Sequence, residues 1–129
     1  MSVKVLVVDD DPINLTVVER VLSNQGYTVY QASSGPAALT MLDRLHPDLI
    51  VLDVMMPEMS GYEVCERIRS TPKYADIFVI MLTASNSVEN RIKGFEVGAD
   101  DFMGKPFAVD LLLDRACELL EIERAATGT

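Results

Sequence analysis

Aspartates, a threonine and a lysine stand where the short apolar runs of this chain stop. Val5-Leu6-Val7-Val8 runs into Asp9-Asp10-Asp11, and Leu49-Ile50-Val51-Leu52 runs into Asp53. Phe78-Val79-Ile80-Met81-Leu82 runs into Thr83, and Phe102-Met103 leads past Gly104 to Lys105-Pro106. Carboxylates gathered in one place resist ionising together, so such a cluster calls for a cation. Magnesium fits best, as a hard ion satisfied by one or two carboxylates, several waters and a phosphate oxygen. An amine and a hydroxyl facing the carboxylates would complete a cradle for a tetrahedral anion. The chemistry indicated is phosphoryl transfer to an aspartate, giving an acyl phosphate.

That chemistry requires the run ends to meet. Near-continuous apolar runs are the pattern of parallel strands buried on both faces, and their C-terminal ends share an edge. Strand and helix patterns alternate along the whole chain, the mark of βαβ units. The expected strands are Lys4–Val8, Thr28–Ala32, Leu49–Asp53, Phe78–Leu82 and Asp101–Gly104. Asp11 can cap the first helix, with Pro12 at its first position. That helix carries Val17, Val18, Val21 and Leu22 and stops at Asn24-Gln25-Gly26, where Gly26 can turn left-handed. Ser33-Ser34-Gly35-Pro36 starts the second helix, through Ala38, Leu39 and Leu42, and His46-Pro47 ends it. Ser60 with Glu63 fits a capping box for the third helix, which Thr71-Pro72 breaks. Val88, Ile92 and Phe95 recur at i, i+4, i+7 in the fourth, which Gly98 ends. The fifth helix is expected from Phe107 to Glu123, with one core arc of Val109, Leu112, Leu113, Ala116, Leu119 and Leu120.

Right-handed crossovers with helices on both faces favour a winding that reverses once. Five strands then take the order 2-1-3-4-5, the flavodoxin-like arrangement, with strands one and three beside each other at the switch point. The fold expected is α/β, a doubly wound parallel sheet with five helices.

The 129 residues suit one domain, expected over 1–123, with 124–129 as a tail or the start of a linker. A net charge of −9 argues against nucleic acid or an anionic membrane as direct partner. No secretory leader or membrane-length apolar run is visible, which points to the cytoplasm. Cys65 and Cys117 read as core thiols.

The chain resembles the receiver domain of two-component response regulators over essentially its whole length. Val8-Asp9-Asp10, Asp53-Val-Met-Met-Pro57 with Gly61, Thr83-Ala84, and Gly98-Ala-Asp-Asp-Phe102 before Lys105-Pro106-Phe107 carry the likeness. The resemblance implies that Asp53 accepts the phosphoryl group. Asp10, Asp53 and the Met55 backbone carbonyl would ligate magnesium directly, and Asp9 through water. The donor would be a phosphohistidine on a histidine kinase or phosphotransfer protein, or a small phosphodonor. The domain would catalyse its own phosphorylation and dephosphorylation rather than turn over an external substrate. It also implies a cis peptide at Lys105-Pro106 and a switch pair, Thr83 and Phe102.

The switch has a physical basis. A phosphoryl group adds about −1.5 to −2 charges. Thr83 and Lys105 should move to meet it, and space vacated by Thr83 can admit the ring at 102. Tipping such an equilibrium needs about 5.5 kcal/mol, within reach of a few charge-assisted hydrogen bonds.

Departures and plainer readings stand beside this. Met55 is apolar and Ser85 small where the family tunes the hydrolytic water, and Gly104 offers Lys105 a flexible neighbour. Asp11 reads as a helix cap, and His46 as a surface turn residue. Leu111, Arg115, Glu118 and Ile122 form a ridge off the core arc of the last helix. That ridge is a candidate output surface for an effector, an output domain or a phosphorylation-dependent homodimer. The rivals are a flavodoxin-like nucleotide or flavin binder, an acyl-phosphate phosphatase and a non-phosphorylated scaffold. The first lacks a glycine-rich phosphate loop. The second would show an aspartate where Met55 stands. The complete acidic and switch set argues against the third.

Overall fold

The computed structural model describes residues 3–126, with side chains through Glu121. Five strands, β1 (Lys4–Val8), β2 (Thr28–Ala32), β3 (Leu49–Leu52), β4 (Phe78–Thr83) and β5 (Asp101–Gly104), form one parallel sheet in the order 2-1-3-4-5. Between and after them lie α1 (Pro12–Ser23), α2 (Gly35–Leu45), α3 (Gly61–Ser70), α4 (Val88–Glu96) and α5 (Val109–Ala126). A short 3-10 turn, Pro72–Tyr74, follows α3. Among the described residues, no helix is long and apolar enough to cross a membrane.

Side chains of a strand alternate between faces, so each apolar run feeds two cores. Leu6, Val8, Ile50, Leu52, Val79 and Met81 face the layer containing Ala38 and Leu42 of α2 and Val64, Cys65 and Ile68 of α3. Val5, Val7, Leu49, Val51, Ile80 and Leu82 face Leu15, Val18 and Leu22 of α1 and Leu112, Ala116 and Leu120 of α5. Each fully buried leucine or isoleucine in these layers contributes roughly 1.5–3 kcal/mol.

Local signals set the helix ends. Asp11 accepts the Ile13 N–H at 2.9 Å, and Gly26 has φ +96°. The Ser60 hydroxyl accepts the Glu63 N–H at 3.3 Å, the first half of the expected capping box. Cys65 lies in the core and Cys117 is half-buried.

Four expectations change. The Val88, Ile92 and Phe95 stripe of α4 is 72%, 53% and 48% exposed, whereas Gly94 is buried. Helix α4 therefore presents its glycine to Met81 and Phe102 of the sheet. Its apolar stripe points away. Val109 is 46% exposed, because it opens α5 ahead of the turn that seats Leu112. Val17 is also exposed, and Leu15 takes the inward place on α1. Helix α5 starts at Val109 rather than Phe107 and continues through Ala126, into the expected tail.

Candidate functional site at the carboxyl edge of the sheet

Each chemistry-bearing residue is placed by its strand. Asp9 and Asp10 follow β1, Asp53 follows β3, Thr83 closes β4 and Lys105 follows β5. Backbone pairing extends past the strand ends and fixes them. The Asp53 N–H donates to Val8 O at 2.9 Å, the Asp9 N–H to Ala32 O at 3.2 Å, and the Lys105 N–H to Thr83 O at 2.9 Å. The parallel register thus brings together groups that are as many as 96 positions apart in sequence.

Ligand oxygens of Asp9, Asp10 and Asp53 all lie within 4.8 Å of one another, with Asp9 and Asp53 buried and Asp10 exposed. Asp9 Oδ1 accepts the Asp11 N–H at 2.9 Å. Lys105 Nζ donates to Asp9 Oδ2 at 2.5 Å and to Asp53 Oδ2 at 3.4 Å. Asp53 Oδ1 accepts the Met55 N–H at 3.2 Å. Burial pushes the Asp53 carboxyl above the usual carboxylate range, opposed by the Lys105 ammonium and the Thr83 hydroxyl and reinforced by Asp9. Three carboxylates facing one ammonium leave the cluster net negative. An all-oxygen donor set with one solvent-facing member fits a hard, partly hydrated divalent cation such as magnesium.

Tight backbone approaches shape the rim. A Cβ at Gly61 would lie 2.3 Å from Asp53 O, so only glycine lets α3 begin against the acceptor strand. The Gly61 N–H bonds Val54 O at 2.9 Å there, closing the loop that carries Met55, whose side chain is 62% exposed. Glu58, in the same loop, has φ +69°. At Gly104 a Cβ would meet Asn86 Nδ2 at 2.0 Å, so the exposed Asn86 side chain packs into the space the glycine leaves. Lys105-Pro106 is cis.

Thr83 is fully buried, its Oγ1 accepting the Ser85 N–H at 3.2 Å. Phe102 is 1% exposed, paired in register with Met81 and roofed by α4. Asn90 Nδ2 donates to Ser85 Oγ at 2.5 Å and to Ser85 O at 3.3 Å, tying the β4–α4 loop to α4. Tyr62 Oη donates to Asn90 O at 3.1 Å, joining α3 to that helix. The sequence reading singled out neither Asn90 nor Gly94. An interior glycine in a helical pattern was the available signal, since it costs about 1 kcal/mol and so implies a packing reason.

On the last helix, Leu111 is 46% exposed. Arg115 pairs with Asp101 at 3.1 Å and with Glu118 at 3.4 Å. The Ile122 side chain lies outside the described residues.

A doubly wound sheet of this order with an acidic cluster, a hydroxyl and an amine at its carboxyl edge defines a receiver domain. The chain belongs to the response regulator receiver domain family, which it matches over residues 5–116. Response regulator MprA of Mycobacterium ulcerans is 48% identical over 120 residues, covering 93% of this chain and 51% of that protein. The chain thus spans about half the length of the curated relatives it matches. Among solved structures, the chemotaxis protein CheY4 of Vibrio cholerae superposes with a TM-score of 0.87 at 34% identity, covering 92% of this chain and 99% of that one. The BeF3-activated receiver domain of DrrB does so at 0.86 and 40% identity, covering 94% of this chain and 99% of that one.

Proposed function

We propose that this chain is a phosphorylation-operated switch in which Asp53 accepts a phosphoryl group from a phosphohistidine of a cognate kinase or phosphotransfer protein. The observation that carries the reading is the reach of Lys105 to both Asp9 and Asp53 beside the buried Thr83. An Asp53 oxygen attacks phosphorus, the P–N bond breaks, and the imidazole leaves with its electron pair and takes a proton. Lys105 and Thr83 orient the phosphoryl oxygens. Asp10, Asp53 and the Met55 carbonyl would hold magnesium, with Asp9 acting through water. Bound there, the ion neutralises charge on the phosphoryl oxygens. Water attack at phosphorus later releases inorganic phosphate and restores the carboxylate.

The phosphoryl group draws Thr83 and Lys105 toward it and so favours the inward position of Phe102, the one the ring occupies beneath α4 in this structure. The exposed apolar residues of α4 and α5, with the ridge Leu111, Arg115, Glu118 and Ile122, then meet an effector, an output domain or a second copy in the cytoplasm. The unit that performs this is the five-stranded domain closed by α5.

Incubation with acetyl phosphate and magnesium should add one hydroxylamine-labile phosphoryl group, read by intact mass. Asp53→Ala should add none, and chelation with EDTA should stop the reaction. Equal labelling of wild type and Asp53→Ala would refute the assignment. For the output surface, sedimentation with beryllofluoride should show self-association or effector binding that Leu111→Glu weakens. An activated protein that stays monomeric, with effector binding untouched by Leu111→Glu, removes this surface from the reading.

A further inference from the structure

Helix α4 carries a glycine at its only buried position. A Cβ built at Gly94 would lie 2.7 Å from Phe102 Cδ2, 3.1 Å from Phe102 Cε2 and 3.1 Å from Met81 Sδ. The Phe102 contacts involve an aromatic ring enclosed on all sides, not the end of a flexible chain. Gly94 therefore opens a notch in the underside of α4, and the ring of Phe102 fills it. Met81, the register partner of Phe102 on β4, forms the floor. The Arg91 guanidinium, one helical turn before Gly94, covers the ring at 5.8 Å from its centroid. Helix propensity alone would favour alanine at 94, so the glycine is explained by the space it leaves.

We propose that Gly94 is the seat of the switch ring: a positioning residue whose missing side chain admits Phe102 beneath α4, with Arg91 as its cover. The proposal rests on Thr83 and Phe102 acting as the switch pair, and it adds the residue that governs how readily the inward state forms. A methyl group at 94 leaves the Asp53 crevice untouched and raises the cost of the inward ring. A ligand that favours the inward state then binds more weakly by the fraction of chains able to adopt it.

The test uses methyl-labelled methionine NMR, because Met81 reports the ring position through its aromatic shift. The chain has 7 methionines, so Met81→Leu assigns the signal. Gly94→Ala should move the Met81 methyl toward its position in Phe102→Ala. It should also weaken beryllofluoride binding in magnesium by about tenfold. In a Phe102→Ala background the same change should alter binding by less than about twofold, since the two act as a unit. Gly94→Ala with Phe102→Leu supplies a folded control, because the smaller side chain relieves the clash.

An unmoved Met81 signal in Gly94→Ala, or an equal loss of binding with and without the ring, overturns the proposal. Failure of the underlying reading looks different. In that case wild type shows no beryllofluoride-induced Met81 shift, while Gly94→Ala still displaces the ring.

Discussion

Lys105 Nζ stands 2.5 Å from Asp9 Oδ2, closer than its 3.4 Å approach to Asp53 Oδ2. The amine thus rests mainly on the carboxylate that is not the proposed acceptor, and it needs only a short swing to serve the other. Both partners of the closer pair are largely desolvated, with side chains 15% and 6% exposed. Removing one partner of such a pair costs far more than the pair contributes net, because a buried charge is left unmatched. Lys105→Met should therefore destabilise the domain by about 3 kcal/mol. Adding Asp9→Asn should return more than half of that. Urea midpoints for the cycle measure both, and a single-variant loss below about 1 kcal/mol would contradict the argument.

Met55 occupies the position from which the lifetime of a phosphorylated form would be tuned. Its side chain is 62% exposed beside Asp53 and offers no proton acceptor to an incoming water. Decay then depends on access alone. Met55→Glu should accelerate loss of phosphate by about tenfold, a fraction of what a well-positioned base achieves. The rate of phosphate release after removal of the donor gives the answer, and an unchanged rate would eliminate this role.

Arg69 ties three segments at the end of the sheet opposite the acidic crevice. Nε donates to Gly98 O at 2.8 Å, Nη1 to Ala75 O at 3.0 Å and Ile77 O at 2.6 Å, and Nη2 to Asp100 Oδ2 at 2.8 Å. The same Asp100 oxygen accepts the Val79 N–H at 2.8 Å, so the guanidinium also braces the start of β4. Arg69→Ala should cost roughly 2–4 kcal/mol through stranded acceptors. Arg69→Lys should recover little, since a single ammonium cannot reproduce a planar fork. Thermal unfolding of both variants tests this; full recovery by lysine would show that charge, not geometry, is what matters.

Cys65 makes alkaline stability fall. Burial pushes its thiol up to about 11 despite the nearby Arg69 charge, and the thiol donates to Val97 O at 3.3 Å. The unfolded thiol ionises near its ordinary value, so the unfolded state loses a proton first as pH rises. The contribution is complete below that ordinary value. It declines through the interval up to about 11, by up to roughly 1.4 kcal/mol per pH unit. Cys65→Ala should be less stable at neutral pH but should lack this slope, so the gap between the two proteins narrows as pH rises. Parallel pH dependences of the two urea midpoints would exclude the thiol as the source.

Hydrophobic period and helix caps encode most of this architecture locally. Strands β1, β3 and β4 are legible because an apolar run of four or five residues has few other uses, whereas β2 and β5 follow from the alternation of strand and helix patterns. Asp11, Gly26 and Ser60 marked helix ends because capping and left-handed turns are local chemistry. The α4 stripe misled because periodicity defines a face without saying whether anything covers it. Val88, Ile92 and Phe95 share a face, yet the helix docks through Gly94, which carries no hydropathic signal.

The residues at the strand ends, and hence the acidic crevice, follow from the sequence alone. A strand's last residue and its chemistry are adjacent in the chain, and a parallel sheet can only gather such ends on one edge. Tertiary structure decided what those residues touch. Lys105 lies closer to Asp9 than to Asp53, the Asn86 side chain packs against Gly104, and Phe102 fits a notch made by residue 94. Each of these depends on distances of a few tenths of an ångström between segments that meet only after folding, and close packing makes such distances decisive.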